Sequence, residues 1–443
     1  MSFHVSGRLW PWVMGLFLGL ALQGAALGEP AAGKPLTLIY SGNLDGELEP
    51  CGCSAEGDFG GIRRRATMLD RLRAEHPDLF AVSAGGLLSG IAANGRLTNE
   101  YILKGFAALG YDAIGVQWED LQYGAALLKE SALPWLASNW RDDGFPRERR
   151  VSHGGRTAVF FTWLDPGTAP QKGMLGDHSQ VVDSAAAMTR ALARAKQDEA
   201  LTVVTTTLTL KDAARILPMK YIDVLLIHAN YEVYGEPRMQ GKTLVLQPGS
   251  RGMRLGRVDI GLDGQGKITT WRSEVIPLPK SVPDAPHLGK WYAEYNERIK
   301  ENYAQMVALR KAQADGTTPF SGAEPCQYCH VDSYETWRKS HHAKAFSALE
   351  NVNKSFDPDC LQCHTLGFNQ HGGFIDLEAT PSLVNVQCES CHGAGREHVA
   401  SGGTKPVANA GWKPAEMCAQ CHTQPHSPAF KFDRYWPRIV HGK

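Results

Sequence analysis

The chain has 443 residues, and its 46 Lys and Arg residues balance its 46 Asp and Glu residues. Hydrophobic residues make up 43% of the sequence, which is enough for a buried core, and a chain of this length is expected to form two domains. The even charge balance gives no indication of a nucleic-acid-binding protein or of a polybasic membrane-binding segment.

The first 28 residues have the pattern of a secretory signal peptide. Arg8 precedes an apolar run over residues 10–28, and Ala26 and Gly28 are small residues at the −3 and −1 positions of a cleavage site after Gly28. The alternative is an uncleaved membrane anchor, for which the run is marginal in length. We therefore predict export to the periplasm or another extracytoplasmic compartment, and a mature protein that is soluble or associates with a membrane only peripherally.

Strands and helices alternate over residues 35–275. Apolar runs bounded by turn residues predict strands, and apolar residues at helical spacing predict helices. The predicted strands are 36–43, 79–86, 111–116, 157–164, 201–209, 223–229 and 243–249, and the predicted helices are 63–77, 99–110 and 183–199. Such alternation predicts a layered α/β domain.

A CGC motif contributes Cys51 and Cys53 soon after the first strand. A disulfide between cysteines two residues apart closes a strained ring that is easily reduced, so a redox dithiol is one interpretation and makes both residues catalytic candidates. A second interpretation is a soft-metal site that includes Asp45, Glu119 or His228. A third is a local structural pair, or simply two reduced thiols.

A linker is predicted over residues 276–320. Its Pro-rich beginning, IPLPKSVPDAPH, predicts an extended segment. Residues 288–316 then carry apolar side chains at helical spacing. We predict that this helix packs one domain against the other.

The last quarter of the chain contains the pattern CxxCH four times. The four copies are Cys326, Cys329 and His330; Cys360, Cys363 and His364; Cys388, Cys391 and His392; and Cys418, Cys421 and His422. The two thiols of this pattern add to the vinyl groups of a haem, and the following His binds the iron. Zinc sites built from paired CxxC units are the alternative, but they leave four identically placed histidines unexplained. We predict four covalently bound haem c groups, which agrees with export.

Each haem iron has a second axial position, for which His, Met and vacancy are the usual choices. Met417 is the only Met after residue 320, and it adjoins Cys418, so Met ligation is not expected. Six histidines outside the motifs compete for four positions: His341, His342, His371, His398, His426 and His441.

This region resembles the cytochrome c-554 family of multihaem cytochromes in four stretches, CQYCHVDSYETWRKSHHAKAF, DCLQCHTLGF, VQCESCHGAGREH and CHTQPHSPAFKFDRYWPRIVHG. The resemblance covers about residues 322–442. It implies that His342 and His398 are distal ligands, and the closing IVHG suggests His441 as a third. It also implies one five-coordinate haem, unless one of the remaining three histidines binds there.

The first region resembles the 5′-nucleotidase and UDP-sugar hydrolase branch of the calcineurin-like metallophosphatases, in the stretches SGNLDG, GGIRRR and PGSRGMRLGRVDIGLD. This resemblance implies a four-layer αββα domain. The family's metal ligands fall on Asn43, Asp45, Gly86, Trp118, Glu119 and Thr207. The last histidine of the family pattern falls one place from His228. Because a two-metal site needs several hard ligands, we expect no ordinary phosphoesterase activity. The CGC motif resembles a thiol-bearing subgroup of the same fold.

Together these patterns predict a signal peptide over 1–28, a metallophosphatase-like α/β domain over 35–275, a linker and helix over 276–320, and a mostly irregular and α-helical tetrahaem cytochrome c domain over 321–443. We predict electron transfer between redox partner proteins that the sequence does not identify. The alternatives are an oxidoreductase acting on a small nitrogen or sulfur compound at an open haem or at the CGC motif, and a first domain that only docks a partner.

Overall fold

The computed structural model describes residues 34–51, 58–90, 94–169, 180–231, 233–423, 426–427 and 429–442. The predicted signal peptide and Cys53 lie outside the described residues, and only the backbone of Cys51 is described. Within these ranges no helix is both long and apolar enough to cross a membrane.

The first domain contains two six-stranded mixed sheets. In the first sheet, β1 pairs in parallel with β4, β4 with β5 and β5 with β6, while β13 is antiparallel to both β1 and β14. Its strands are β1 (Leu36–Ser41), β4 (Phe80–Ser83), β5 (Ala113–Gly115), β6 (Trp135–Leu136), β13 (Arg254–Leu262) and β14 (Ile268–Pro277).

The second sheet has a parallel centre and antiparallel edges. Strands β8, β9, β10 and β12 are parallel to their neighbours, and β7 and β11 pair antiparallel at the two edges. Its strands are β7 (Arg149–His153), β8 (Arg156–Trp163), β9 (Leu201–Thr206), β10 (Val224–Leu226), β11 (Gly235–Gln240) and β12 (Thr243–Gln247). A two-stranded ribbon, β2 (Pro50–Cys51) with β3 (Phe59–Gly60), stands apart.

Helices cover the outer faces of both sheets. A buried cluster that includes Leu38, Val82, Phe160 and Leu226 fills the space between the sheets. The helices of this domain are α1 (Ile62–Glu75), α2 (Gly95–Ala107), α3 (Ala125–Glu130), α4 (Ala186–Gln197) and α5 (Leu210–Ile216). One apolar cluster joins α1 and α2 to the first sheet, and another joins α4 and α5 to the second. The domain therefore has the predicted αββα layering.

Most predicted elements are present in shortened form, and one boundary prediction was wrong. The strand predicted over 201–209 ends at Thr206, because Thr209 caps the next helix. The hydroxyl of Thr209 accepts a hydrogen bond from the backbone N–H of Asp212 at 3.2 Å, which begins α5. The edge strands β7 and β11 were not predicted, because their side chains are mostly exposed and lack apolar alternation.

Helix α6 (Gly289–Gln313) packs against both parts of the chain. Tyr295 and Ile299 belong to the core of the first domain. One to two turns later, Tyr303 and Met306 pack against the apolar cluster of the CxxCH region. This confirms the predicted docking role of the helix.

The CxxCH region consists of short helices separated by irregular segments. Its helices are α7 (Val331–Lys339), α8 (Ala345–Asn351), α9 (Pro358–His364), α10 (Cys388–His392), α11 (Arg396–Ala400), α12 (Pro414–Cys418) and α13 (Phe432–Tyr435). The second motif ends α9, the third forms α10 and the fourth begins at the end of α12. The apolar cluster of this region has only eight buried members, from Phe320 to Leu383. This small core agrees with a segment that needs apolar groups other than its side chains.

Candidate functional site

Three of the four motif histidines face a histidine that the sequence predicts as a distal ligand. The ring centroids lie 6.2 Å apart for His330 and His398, 5.9 Å apart for His392 and His441, and 6.1 Å apart for His422 and His342. An ion held between two imidazoles needs centroids about 6.2 Å apart, from two metal–nitrogen bonds of about 2.0 Å and two ring radii of about 1.1 Å. The observed spacing therefore fits an iron ion between the rings of each pair.

Hydrogen bonds orient several of these rings. The contacts run from Nδ1 of His364 to the Ala345 carbonyl (2.6 Å), of His398 to the Lys405 carbonyl (2.7 Å) and of His441 to the Ile439 carbonyl (2.8 Å). A carbonyl oxygen only accepts, so Nδ1 carries the hydrogen in each ring. The lone pair is then on Nε2, as in metal-binding histidines whose other nitrogen donates to the backbone.

The remaining motif histidine is His364 of the second motif. It has no ring contact with another His in the described part of the chain. Of the candidates outside the three pairs, His426 lies close enough to His364 to interact with it electrostatically. Its ring keeps an accessible side, yet partial burial and then the nearby charge of Arg251 lower its pKa, and His364 contributes in the same direction. His426 therefore lies near both the second motif and the first domain.

The other two candidates do not face a motif histidine. His371 is exposed and pairs with Asp315, with 3.2 Å between Nε2 and the carboxylate oxygen. His341 is also exposed and lies beside His342.

The motifs contact each other in an order that differs from their order in the chain. The side chain of Cys326 in the first motif lies near that of Cys388 in the third. Cys391 of the third motif lies near Cys418 of the fourth. Cys421 of the fourth motif lies near Cys363 of the second. The spatial order is therefore first, third, fourth, second.

The first domain places the positions expected for metal ligands at the carboxyl ends of its parallel strands. Asn43 follows β1 and accepts a hydrogen bond from the side chain of Gln117 at 3.0 Å. Gly86 follows β4, and a Cβ atom there would lie 2.5 Å from Cγ of Asn43. Gly86 also has a φ of 66°, which favours glycine. A larger residue at this position would displace Asn43.

Two neighbouring residues have structural partners. Trp118 is buried, and its indole N–H donates to the Asp165 carbonyl at 2.8 Å. Asp120 is fully buried and accepts hydrogen bonds from four backbone N–H groups, those of Gly86, Leu87, Leu88 and Gln117. Asp120 thus orders the loop after β4. Sequence reasoning missed it, because nothing in the sequence distinguishes it from the acidic residues around it.

A charged group lies at the same end of the sheets. The backbone N–H of Arg251 donates to the Asp45 carboxylate at 3.0 Å, and its guanidinium lies 3.4 Å from an oxygen of Glu47. Burial raises the pKa of Glu47 to about 7, although the charge of Arg251 opposes this shift.

Among the described residues, the candidate soft-metal ligands of the first domain do not form a common site. Glu119 is exposed, whereas Nδ1 of His228 and the hydroxyl of Thr207 are buried and have no hydrogen-bond partner among the residues described. Within those residues no three His, Cys, Asp or Glu side chains could share an ion. That search does not include the side chains of the CGC motif.

The first domain has an α/β fold of the metallophosphatase type, and the CxxCH region has motifs and paired histidines like those of a c-type cytochrome. Residues 325–393 match the family described as cytochrome c554 and c-prime. The chain is 34% identical over 151 residues to cytochrome c-554 of Nitrosomonas europaea, an alignment that covers 27% of this chain and 64% of that protein. These matches confirm the predicted resemblance and indicate covalently bound haem.

The first domain is similar to 5′-nucleotidases. It is 28% identical over 139 residues to the snake venom 5′-nucleotidase of Gloydius brevicauda, covering 29% of this chain and 24% of the venom protein. Two Thermus thermophilus structures, a 5′-nucleotidase precursor and the sulfate thiohydrolase SoxB with glycerol, each give a TM-score of 0.51 at 18% identity. Each similarity covers 60% of this chain, and 59% and 61% of the respective structures. The fold predicted for this domain is confirmed, and the chain spans less than two thirds of each relative named here.

Proposed function

We propose that the protein is an exported tetrahaem c-type cytochrome that transfers electrons, fused to a catalytically altered 5′-nucleotidase-like domain. The observation that carries this proposal is the presence of three His–His pairs, each with the ring spacing that an iron ion requires. Haem c supplies one-electron chemistry when it is bound. Its potential is set by the axial ligands and by burial, which are properties of this chain.

The pairs support a distal ligand for each of three motifs. In this proposal His398 serves the first motif, His441 the third and His342 the fourth. For the second motif, His426 is the candidate ligand, and the alternative is an open position opposite His364. His341 and His371 are less favoured, because each is exposed and has no ring contact with a motif histidine among the described residues.

The contacts between motifs support electron transfer along the region. The cysteines of neighbouring motifs lie near each other in the order first, third, fourth, second, so haems attached to them would lie close together. Such an arrangement forms one continuous path with an end at the first motif and an end at the second. We propose that separate donor and acceptor proteins bind at these two ends. No nucleic acid partner is proposed. We also propose the domain boundaries predicted from the sequence, and a peripheral association with a membrane.

The haem count tests the proposal directly. Protein made in a host with haem-attachment machinery should, when denatured, exceed the mass of its own polypeptide by four haems. A variant with Cys388→Ala and Cys391→Ala should retain three haems, because its other motifs are unchanged. Fewer than four haems in the unaltered protein would refute the assignment.

A second candidate function is an oxidoreductase acting on a small nitrogen or sulfur compound. It is favoured by two observations. Among the described residues His364 has no ring contact with another His, and Glu49, just before the CGC motif, forms an ion pair with Lys354, which precedes the second CxxCH motif. An open haem should show high-spin bands and bind small ligands. A catalytic CGC motif should lose turnover in Cys51→Ser while the haem spectrum is unchanged. If the first domain only docks a partner, the same variant should keep its turnover.

A further inference from the structure

A buried lysine connects the two parts of the chain. The Lys354 side chain is only 9% exposed, and its Nζ lies 2.6 Å from a carboxylate oxygen of Glu49 and 3.9 Å from one of Asp357. Nζ also donates to the side-chain carbonyl of Asn296, on α6, at 2.8 Å. We call Glu49, Lys354 and Asp357 the interdomain joint.

Aromatic rings enclose the joint. Nζ of Lys354 lies 5.5 Å from the ring centroids of Tyr292 and Tyr295, and 5.9 Å from that of Phe356. The hydroxyl of Tyr292 donates to the Glu49 carboxylate. Burial by itself would lower the pKa of Lys354, but the charge of Glu49 and its other partners raises it, so the lysine stays protonated. Charges in this enclosed setting act over longer distances than charges in water.

Each acidic member of the joint lies next to a redox candidate. Glu49 directly precedes β2, whose second residue is Cys51. Asp357 caps α9, where its side chain accepts from the Asp359 N–H at 3.1 Å and its carbonyl accepts from the Cys360 N–H at 3.0 Å. Lys354 therefore connects the segment that leads to the CGC motif with the helix that carries the second CxxCH motif.

We propose that the interdomain joint sets the reduction potential of the haem at the second motif and transmits charge changes in the Glu49 segment to that haem. This inference rests on the proposed function, because it requires a haem at Cys360 and Cys363. Burial raises the pKa of Asp357 to about 6, so the titrations are made at pH 8. With Lys354 protonated and both carboxylates ionised, the joint then carries one net negative charge. Ferric haem has one more positive charge than ferrous haem, so a more negative joint stabilises the ferric state.

The two ends of the joint should then shift the potential in opposite directions. Lys354→Met makes the joint more negative and should lower the potential of this haem, whereas Glu49→Gln makes it neutral and should raise it. A unit charge in a partly buried setting should change the ratio of oxidised to reduced haem at fixed potential by roughly threefold to tenfold. A tenfold change corresponds to 59 mV for one electron. Simple loosening of the interface would move both variants in the same direction.

Spectroelectrochemical titration of the full haem-loaded protein tests this. A variant with Cys360→Ala and Cys363→Ala lacks the second haem, and its difference from the unaltered protein identifies that component. Lys311→Met is a matched control, because Lys311 forms pairs at 2.8 Å with Asp376 and 2.7 Å with Glu378 but is 36% exposed. We expect a shift below about 1.5-fold in this control, since solvent screens the charge.

Opposite shifts in Lys354→Met and Glu49→Gln would support the proposal. Shifts of the same sign, or none in either variant, would overturn it. If Lys354→Met does not fold, Glu49→Gln still decides, since a neutral joint must raise the potential. Loss of the second haem from the unaltered protein would instead count against the proposed function, and the mass measurement reveals that separately.

Discussion

Replacing His398 by Ala should convert one haem from low spin to high spin without releasing it. The structure predicts three low-spin haems from its three ring pairs, so the variant should retain two. Attachment should survive because Cys326 and Cys329 are unchanged. The ring loses a hydrogen bond to the Lys405 carbonyl at 2.7 Å, an exposed contact that water can replace. The loss of this hydrogen bond should by itself lower the free energy of unfolding by about 1 kcal/mol or less.

Electron paramagnetic resonance and magnetic circular dichroism measure the two spin states separately. His371→Ala is the control, because its ring forms an exposed ion pair with Asp315 and should leave the spectrum unchanged. Added imidazole should restore the low-spin signal of His398→Ala by occupying the vacated position. If the low-spin content of this variant is unaltered with four haems attached, the assignment of His398 to His330 is wrong.

Three further predictions concern the first domain. The pure protein should show no manganese- or zinc-stimulated hydrolysis of nucleotides or UDP-sugars, because Asn43 and Gly86 stand at ligand positions, and robust hydrolysis would overturn this expectation. Asp120→Ala should lower the free energy of unfolding by on the order of 4 kcal/mol, since four backbone N–H groups lose their acceptor. Asp120→Asn should lower it by less, because the amide keeps one acceptor oxygen. Denaturant titration followed by circular dichroism measures both variants, and equal effects would contradict this reasoning. Burial raises the pKa of Glu47 from 4.5 to about 7, so the folded state holds a proton that the unfolded chain releases. The resulting stability is present below about pH 4.5 and is lost as the pH rises through 7, by at most about 3 kcal/mol. Glu47→Gln should flatten the dependence of stability on pH between 5 and 8, and an unchanged slope would contradict the assignment.

The sheets of the first domain could be predicted because their central strands are continuous apolar runs. Phe160 and Val203 are buried between the sheets, whereas Phe161 and Val204 are buried against the helices on the other face. This burial on both faces requires the Val-, Leu- and Phe-rich composition seen in the sequence. The edges could not be predicted in the same way. In β11 the side chains are mostly exposed, so the sequence lacks the alternation of apolar and polar residues that predicts a strand.

The candidate ligands could be predicted individually, but their pairing could not. His398 lies in the stretch that follows the third motif, yet its ring faces His330 of the first. His342 lies close to the first motif and faces His422 of the fourth. Such pairing depends on how irregular segments cross in space, which no local period records. The contact between Lys354 and Glu49 could not be predicted either, because it depends on how both domains pack against α6.

The pairing of histidines across the CxxCH region has a topological consequence. With iron between the rings, each pair closes a loop, and the three loops, 330–398, 342–422 and 392–441, are mutually interlocked. If a cross-link through iron coordination restricts the unfolded chain as a disulfide does, a loop of this size contributes about 4 kcal/mol to the free energy of unfolding. Every peptide bond between His330 and His441 lies inside at least one loop. A protease that cuts anywhere in this stretch would therefore leave both fragments held together by iron.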